Sequence, residues 1–142
     1  MTGHPVSGGG EDGAAAVEAV LIVPVLIVLL LFVVFVGRLS TVTQDVYAAA
    51  RDAARAASLR GSPDVATADA RSTAADTLAA RGLSCSNMAV AVDMSRFQPG
   101  GAVGVEVTCT VSLSDVSRLG VPGSKRVSAS SVSVIDRYRS SL

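Results

Sequence analysis

The stretch EAVLIVPVLIVLLLFVVFVG, residues 18–37, opens on one carboxylate and then carries no ionisable side chain. From Ala19 to Gly37 it spans about 19 residues, or roughly 28 Å as helix, which matches the hydrocarbon thickness of a bilayer. It predicts a transmembrane helix. Pro24 lies inside it, where it removes a backbone hydrogen bond and introduces an irregularity that membrane helices tolerate. Glu18 stands at the lip of the run. A carboxylate within a membrane segment costs roughly 2.5–3.5 kcal/mol at the centre and less near an end, so it points to function and calls for a partner. Were the chain cut after Gly13, the new α-amino group would sit on Ala14, and positions 14 and 18 face each other at i, i+4 spacing. The ammonium would then neutralise Glu18, on its own chain or on a neighbour. The plainer reading makes Glu18 the interfacial start of an ordinary anchor, its carboxylate reaching back to water.

Ahead of the run, residues 1–13 are polar and Gly-rich, contain Pro5 and show no periodicity, the pattern of a disordered leader. They do not make a conventional secretory signal. A basic n-region is missing, the apolar run exceeds the usual 7–15 residues, and no A-x-A site follows near Gly37 to Ser40. Beyond the run, about 105 of the 142 residues remain, enough for one small domain. Its apolar residues are mostly Ala and Val, Trp is absent, and aromatics make up 4% of the chain, so the core will be thin. Acidic and basic residues balance at 12 each, which leaves no electrostatic footprint for nucleic acid.

After Arg38, the stretch from Thr43 to Leu59 is Ala-rich and puts Val46, Ala50, Ala53 and Ala57 on one helical stripe, with Asp45, Asp52 and Arg55 towards the other face. It reads as a stalk continuing the membrane helix to Gly61. Ser62, Pro63 and Asp64 then supply an N-cap, a first helical position and a first-turn acid. Val65, Ala68, Ala75, Leu78 and Ala79 form an amphipathic stripe that Gly82 ends, with Leu83 placed for the hydrophobic contact of a C-terminal cap. From Met88 the period changes to two. Met88, Val90, Val92 and Met94 share one face of a strand, and Val103, Val105, Val107, Cys109, Val111 and Leu113 share a face of a second, joined by a turn at Gln98 to Gly101. Aligning the apolar faces sets Val90 opposite Val107 and Val92 opposite Val105. A third, half-exposed edge strand is expected from Arg126 to Asp136, followed by a polar tail from Arg137 to Leu142. Helices followed by a three-stranded antiparallel meander make an α+β fold.

Cys85 and Cys109 both fall in this domain. An even count beside a thin core suggests a disulfide and an oxidising compartment; two buried thiols are the alternative. The aligned register places Met88, not Cys85, opposite Cys109, so a bridge requires either that Cys85 fold back from before the strand or that a bulge shift the pairing. The charge pattern points the other way. No Lys or Arg precedes the apolar run, whereas Arg38, Arg51 and Arg55 follow it, and the positive-inside rule then puts the domain in the cytoplasm.

No enzyme signature emerges. The one histidine, His4, lies in the leader, so the domain holds no His-based triad or metal site. Gly120 to Lys125 lacks the spacing of a phosphate loop and precedes a strand. Asp64, Asp69 and Asp76 fit the solvated face of a helix.

Gly13-Ala-Ala-Ala-Val-Glu18 resembles the cleavage region of type IV prepilins, in which a Gly precedes the cut and Glu is the fifth mature residue. The longer string AAAVEAVLIVPVLIVLLL, with Pro24 six residues past Glu18, is similar to the TadE-like family of minor pilins or pseudopilins, which assist assembly of tight-adherence (Flp) pili. Ala-Ala-Arg51-Asp-Ala-Ala-Arg55-Ala-Ala resembles that family's Ala/Arg stretch, and a short β-rich C-terminal region is similar too. The chain departs from the pattern in having Ala19 where members often carry an aromatic, and in an acidic end to the leader, Glu11-Asp12-Gly13. The resemblance implies a leader over 1–13, cleavage between Gly13 and Ala14 by a prepilin peptidase, and pairing of Glu18 with the new amine. It implies a transmembrane helix over 14–37, a helical stalk over 38–61 and an extracytoplasmic α+β domain over 62–142. The expected partners are the lipid bilayer, the peptidase and other pilin-like subunits, with no cofactor, no metal and no nucleic acid. The implied function is non-enzymatic pilus assembly at the cell membrane. The rival reading is an unprocessed single-pass anchor or adaptor that holds a partner through its small domain.

Overall fold

The computed structural model describes residue 3, residues 11–118 and residues 120–138. His4 and most of the expected leader lie outside the described residues, as does the expected tail from residue 139 onward. The elements are α1 (Glu11–Ser58), α2 (Pro63–Ala80), β1 (Asn87–Arg96), β2 (Ala102–Ser112), α3 (Leu113–Ser117) and β3 (Ser124–Val134). This is the expected α+β order with one short helix added between the last two strands. Two compact units divide the chain, with the boundary between Gly37 and Arg38.

In the first unit α1 is helical throughout and runs through Pro24 without interruption. Its side chains from Val17 to Val34 are exposed all round, Val20 at 70% and Leu21 at 68%. A helix apolar on every face has no stable place in water, so it must lie in protein or lipid.

The second unit is built around β2. The sheet order is β1-β2-β3, both pairs antiparallel. Val90 pairs with Val107 and Val92 with Val105, the register that alignment of the apolar faces predicts. Alternate residues Val103, Val105, Val107, Cys109 and Val111 are buried to 1% exposure or less. They share one cluster with Val42, Val46 and the alanines of α1, and with one stripe of α2. Val46, Ala50, Ala53 and Ala57 are all fully buried. The segment read as a stalk thus supplies a large part of the core, and the compact unit begins at Arg38.

The helices of this unit run antiparallel, as their polar contacts show. Arg81 Nη1 donates to Asp45 Oδ1 at 3.0 Å, Thr77 Oγ1 to Asp52 Oδ2 at 3.3 Å, and Arg60 Nε to Asp69. Ascending along α1 means descending along α2. The start of α2 is as expected: Ser62 has extended backbone and accepts from the Val65 amide at 3.4 Å, ahead of Pro63 and Asp64. Its end closes through two amide bonds, Gly82 N–H to the Ala79 carbonyl and Leu83 N–H to the Leu78 carbonyl, each 3.0 Å. That is the paired bonding of a Schellman cap, and it requires the left-handed φ of +71° that Gly82 adopts.

Three expectations need correction here. The buried stripe of α2 is Ala66, Ala70, Ala74 and Leu78, whereas Val65, Ala68 and Ala79 are exposed. Alanines occur all round this helix, so hydrophobicity alone cannot choose the face; the i, i+4 stripe is the one that joins the buried cluster. Leu113 likewise leaves the strand and opens α3, although its amide still bonds the Gly123 carbonyl at 3.0 Å, one step beyond the last ladder pair, Ser112 with Ser124. The third strand runs two residues earlier than expected, from Ser124 to Val134, with Val132 and Val134 exposed on its outer face.

Between β1 and β2 the turn holds Gly101 so close to the Arg96 carbonyl that a Cβ would lie 2.0 Å from its oxygen. Only glycine fits there. The pairing shifts register between Asp93 and Arg96, and the end of β3 closes onto this turn through Ile135 N–H to the Gly101 carbonyl at 2.9 Å.

Candidate membrane and assembly segment

The chemistry singled out in the sequence is spread over two places. Gly13, Ala14, Glu18 and Pro24 all belong to α1, and Gly13, Ala14 and Glu18 are exposed. Because α1 begins at Glu11, Ala14 and Glu18 occupy successive turns of one helix, about 6 Å apart along its axis. A Cβ at Gly13 would meet no heavy atom within 4 Å, so the glycine is not demanded by packing.

One helix among the described residues is long and apolar enough to cross a membrane. Its span falls within Gly13–Ser58, its most apolar 18-residue window has a mean hydropathy of 3.5, and none of that window is buried. By length and composition this helix, near the N-terminus, can cross a membrane once. Glu18 stands near the start of that apolar stretch.

The second place is the bridge. Cys85 and Cys109 form a disulfide with Cα atoms 5.4 Å apart. Met88 still pairs with Cys109 in the ladder, so the first of the two predicted routes is the one used: Cys85 folds back from ahead of β1. Ser86 holds it there, with its amide on the Thr110 carbonyl at 2.8 Å and its hydroxyl on the same oxygen at 3.0 Å. The irregularity in the pairing lies at the far end of the strand and takes no part. Cys109 is fully buried while Cys85 is half-buried, so the bond joins the core to the α2–β1 connection.

Asp69 pairs with Arg60 and Asp45 with Arg81. Asp93, on exposed β1, is held below the usual carboxylate range by the Ser95 amide, which donates to Oδ1 at 2.9 Å, with smaller help from the Ser95 hydroxyl and the Arg96 charge. Among the described residues no group of three His, Cys, Asp or Glu is placed to hold a metal ion.

One feature escaped the sequence reading. Arg51 and Arg55 line a groove beside Ser131, Val132 and Ser133 of β3. Their spacing of one helical turn was visible, but nothing in the sequence placed the third strand against that turn.

Residues 13–55 match the family described as TadE-like protein, in agreement with the resemblance read from the sequence. The match begins at the glycine ahead of the predicted cut, contains Glu18, Pro24 and the Arg51/Arg55 stretch, and stops before α2. The likeness to TadE-like proteins is thus confined to the N-terminal segment that holds the apolar run. No curated protein and no solved structure matches the chain.

Proposed function

We propose that this protein is a non-enzymatic minor pilin or pseudopilin that assists assembly of a tight-adherence pilus. A prepilin peptidase cuts between Gly13 and Ala14, residues 14–37 pack among the helices of other pilin-like subunits, and the α+β domain lies outside the membrane. The observation that carries this reading is the TadE-like match over an exposed apolar helix that starts at the cleavage motif. The α-amine freed on Ala14 lies one turn from Glu18, and burial of that pair in a helix bundle gives it value. Removing either member leaves an unpaired charge in low dielectric, a loss of about 3–5 kcal/mol. Outside location is supported by the Cys85–Cys109 bond, since disulfides persist in oxidising compartments.

Intact-mass measurement of the protein from its native host tests the cut. A mature N-terminus at Ala14 supports the proposal, and Met1 retained while pili form normally refutes it. Glu18→Gln is expected to leave membrane insertion intact and to reduce pilus output; unchanged output counts against the charge pair.

A second reading has one specific observation in its favour. Gly13 is helical, and a scissile bond inside a helix is protected until that turn opens. Under this reading the chain stays uncut and serves as a single-pass anchor whose domain holds a partner.

A further inference from the structure

Beside the C-terminal half of α1 runs a groove of about 360 Å³ lined by Arg51, Arg55, Leu59, Ser131, Val132 and Ser133. Three of these are consecutive residues of β3. Successive strand side chains point to opposite faces, so a groove that touches all three follows the edge of the strand. The sheet order leaves β3 at one edge, where its outer backbone groups have no strand partner. Edge strands are ordinarily blunted by charge, proline or a bulge. Here Lys125 and Arg126 mark only the beginning. From Val127 to Val134 there is no charge and no proline, and the pairing with β2 runs without a shift over the whole strand.

The second observation is independent of the strand. Arg51 and Arg55 are exposed one turn apart, and neither takes part in the two ion pairs found among the described residues. Two like charges at this spacing disfavour the helix unless something anionic meets them. Ser133 Oγ donates to Ser58 Oγ at 3.2 Å, which ties β3 to the end of the helix that carries the two arginines.

The spacings agree. Four residues of helix advance about 6 Å and two residues of strand about 6.8 Å, so carboxylates at alternate positions of an extended chain reach both guanidiniums. We propose that the β3 edge and the Arg51/Arg55 pair form a docking site for an extended acidic segment of a partner protein. The segment adds a fourth strand beside β3 by main-chain bonding, and Asp or Glu at every second position faces the arginines. The site stands whether or not Gly13 is cut.

The test uses the full chain in detergent micelles and a fluorescent blocked peptide, Val-Glu-Val-Glu-Val, read by anisotropy. Saturable binding is expected, weakening with added salt and by about tenfold or more for the R51Q/R55Q double variant. Both side chains are exposed, so the variant is expected to fold as the parent does, and a circular dichroism spectrum checks it. Peptide methylated on its amide nitrogens cannot add a strand and is expected to lose binding, and the R51E/R55E variant is expected to select a Val-Lys-Val-Lys-Val peptide instead. Equal binding of a Val-Gln-Val-Gln-Val peptide would overturn the charge element. Equal binding of the methylated peptide, or displacement by inorganic phosphate at matched charge, would reduce the site to an anion patch and overturn the strand element. A dimer formed through β3 without peptide would give the edge to a second copy, and no saturable binding at millimolar peptide would end the proposal.

Discussion

Cys85→Ser opens the one covalent cross-link of a domain whose largest fully buried side chains are valines and Cys109. The sequence separation of 24 closes a loop of about 25 residues, for which the chain-entropy model gives about 12 cal/mol/K, or about 3.5 kcal/mol at 25 °C. Small domains have roughly 5–15 kcal/mol in total, so the bridge would account for a quarter or more of the stability. Position 85 is the right one to change. Cys109 stays behind as a buried thiol, which packs as a small hydrophobe, whereas a serine at 109 would add the cost of a buried hydroxyl. Urea unfolding of the full chain in mild detergent, followed by circular dichroism, should show a loss of about 3 kcal/mol and a melting temperature lower by roughly 15–25 °C. The slope with denaturant should also rise, because the uncrosslinked unfolded chain exposes more surface. A loss under about 1 kcal/mol with an unchanged slope would refute the view that the bridge stabilises this thin core by restricting the unfolded chain.

Gly82→Ala is expected to cost about 1–2 kcal/mol in thermal unfolding; no atom lies within 4 Å of the added Cβ, so a neutral result would mean that the left-handed cap of α2 is not needed. Ala70→Leu should cost about 1–3 kcal/mol by overpacking the core around the buried stripe of α2 while Ala68→Leu stays near neutral, and the reverse order would restore the stripe first read from the sequence. Asp93 should titrate below an ordinary aspartate in an NMR pH series. Its folded-state value is depressed, so the stability it contributes is present above its unfolded value and is lost as pH falls through the folded one; an unshifted titration would refute the role of the Ser95 amide. A fragment beginning at residue 62 should fail to give a dispersed NMR spectrum, because seven buried residues between Val42 and Ala57 are missing from its core, and a fragment beginning at Arg38 should succeed.

Strand pairing was the most legible part of the domain, because period-two valines leave one register in which both apolar faces coincide. Helix ends were legible for a similar reason: Ser62-Pro63-Asp64 and Gly82-Leu83 each specify local backbone geometry. Alanine carried much less information. It is equally at home on a buried or a solvated helical face, so the α2 stripe was misplaced, and the alanines of α1 read as a stalk although they pack against the sheet. The bridge was foreseen as a pair of cysteines but its route was not decided, since the outcome depended on Ser86 bonding twice to one carbonyl. Leu113 continued the alternation in sequence and still left the strand to open α3, which the alternation does not explain. For the candidate site, spacing put Ala14 and Glu18 one turn apart, and both lie on α1; the cut at Gly13 and the charge pair are proposals. The Arg51/Arg55 groove was not legible, because it depends on two segments about 80 residues apart meeting in space.

The contest over orientation turns on what the arginines are for. Arg38, Arg51 and Arg55 follow the apolar run within the distance over which positive charge biases insertion, and no Lys or Arg precedes it. Taken alone they hold the domain on the cytoplasmic side. That rule is strongest for short loops, however, and large segments cross largely regardless of charge. Here the residues from Arg38 onward form one compact unit closed by a disulfide, which favours an oxidising compartment. Arg51 and Arg55 moreover have a place in that unit, along the β3 groove, so two of the three charges have a reason to be there that does not involve topology. Arg38 remains as the only cation directly at the border of the run. One arginine is a weak signal against a covalent bond in the domain, and it is on this ground that we propose the extracytoplasmic orientation over its inverse.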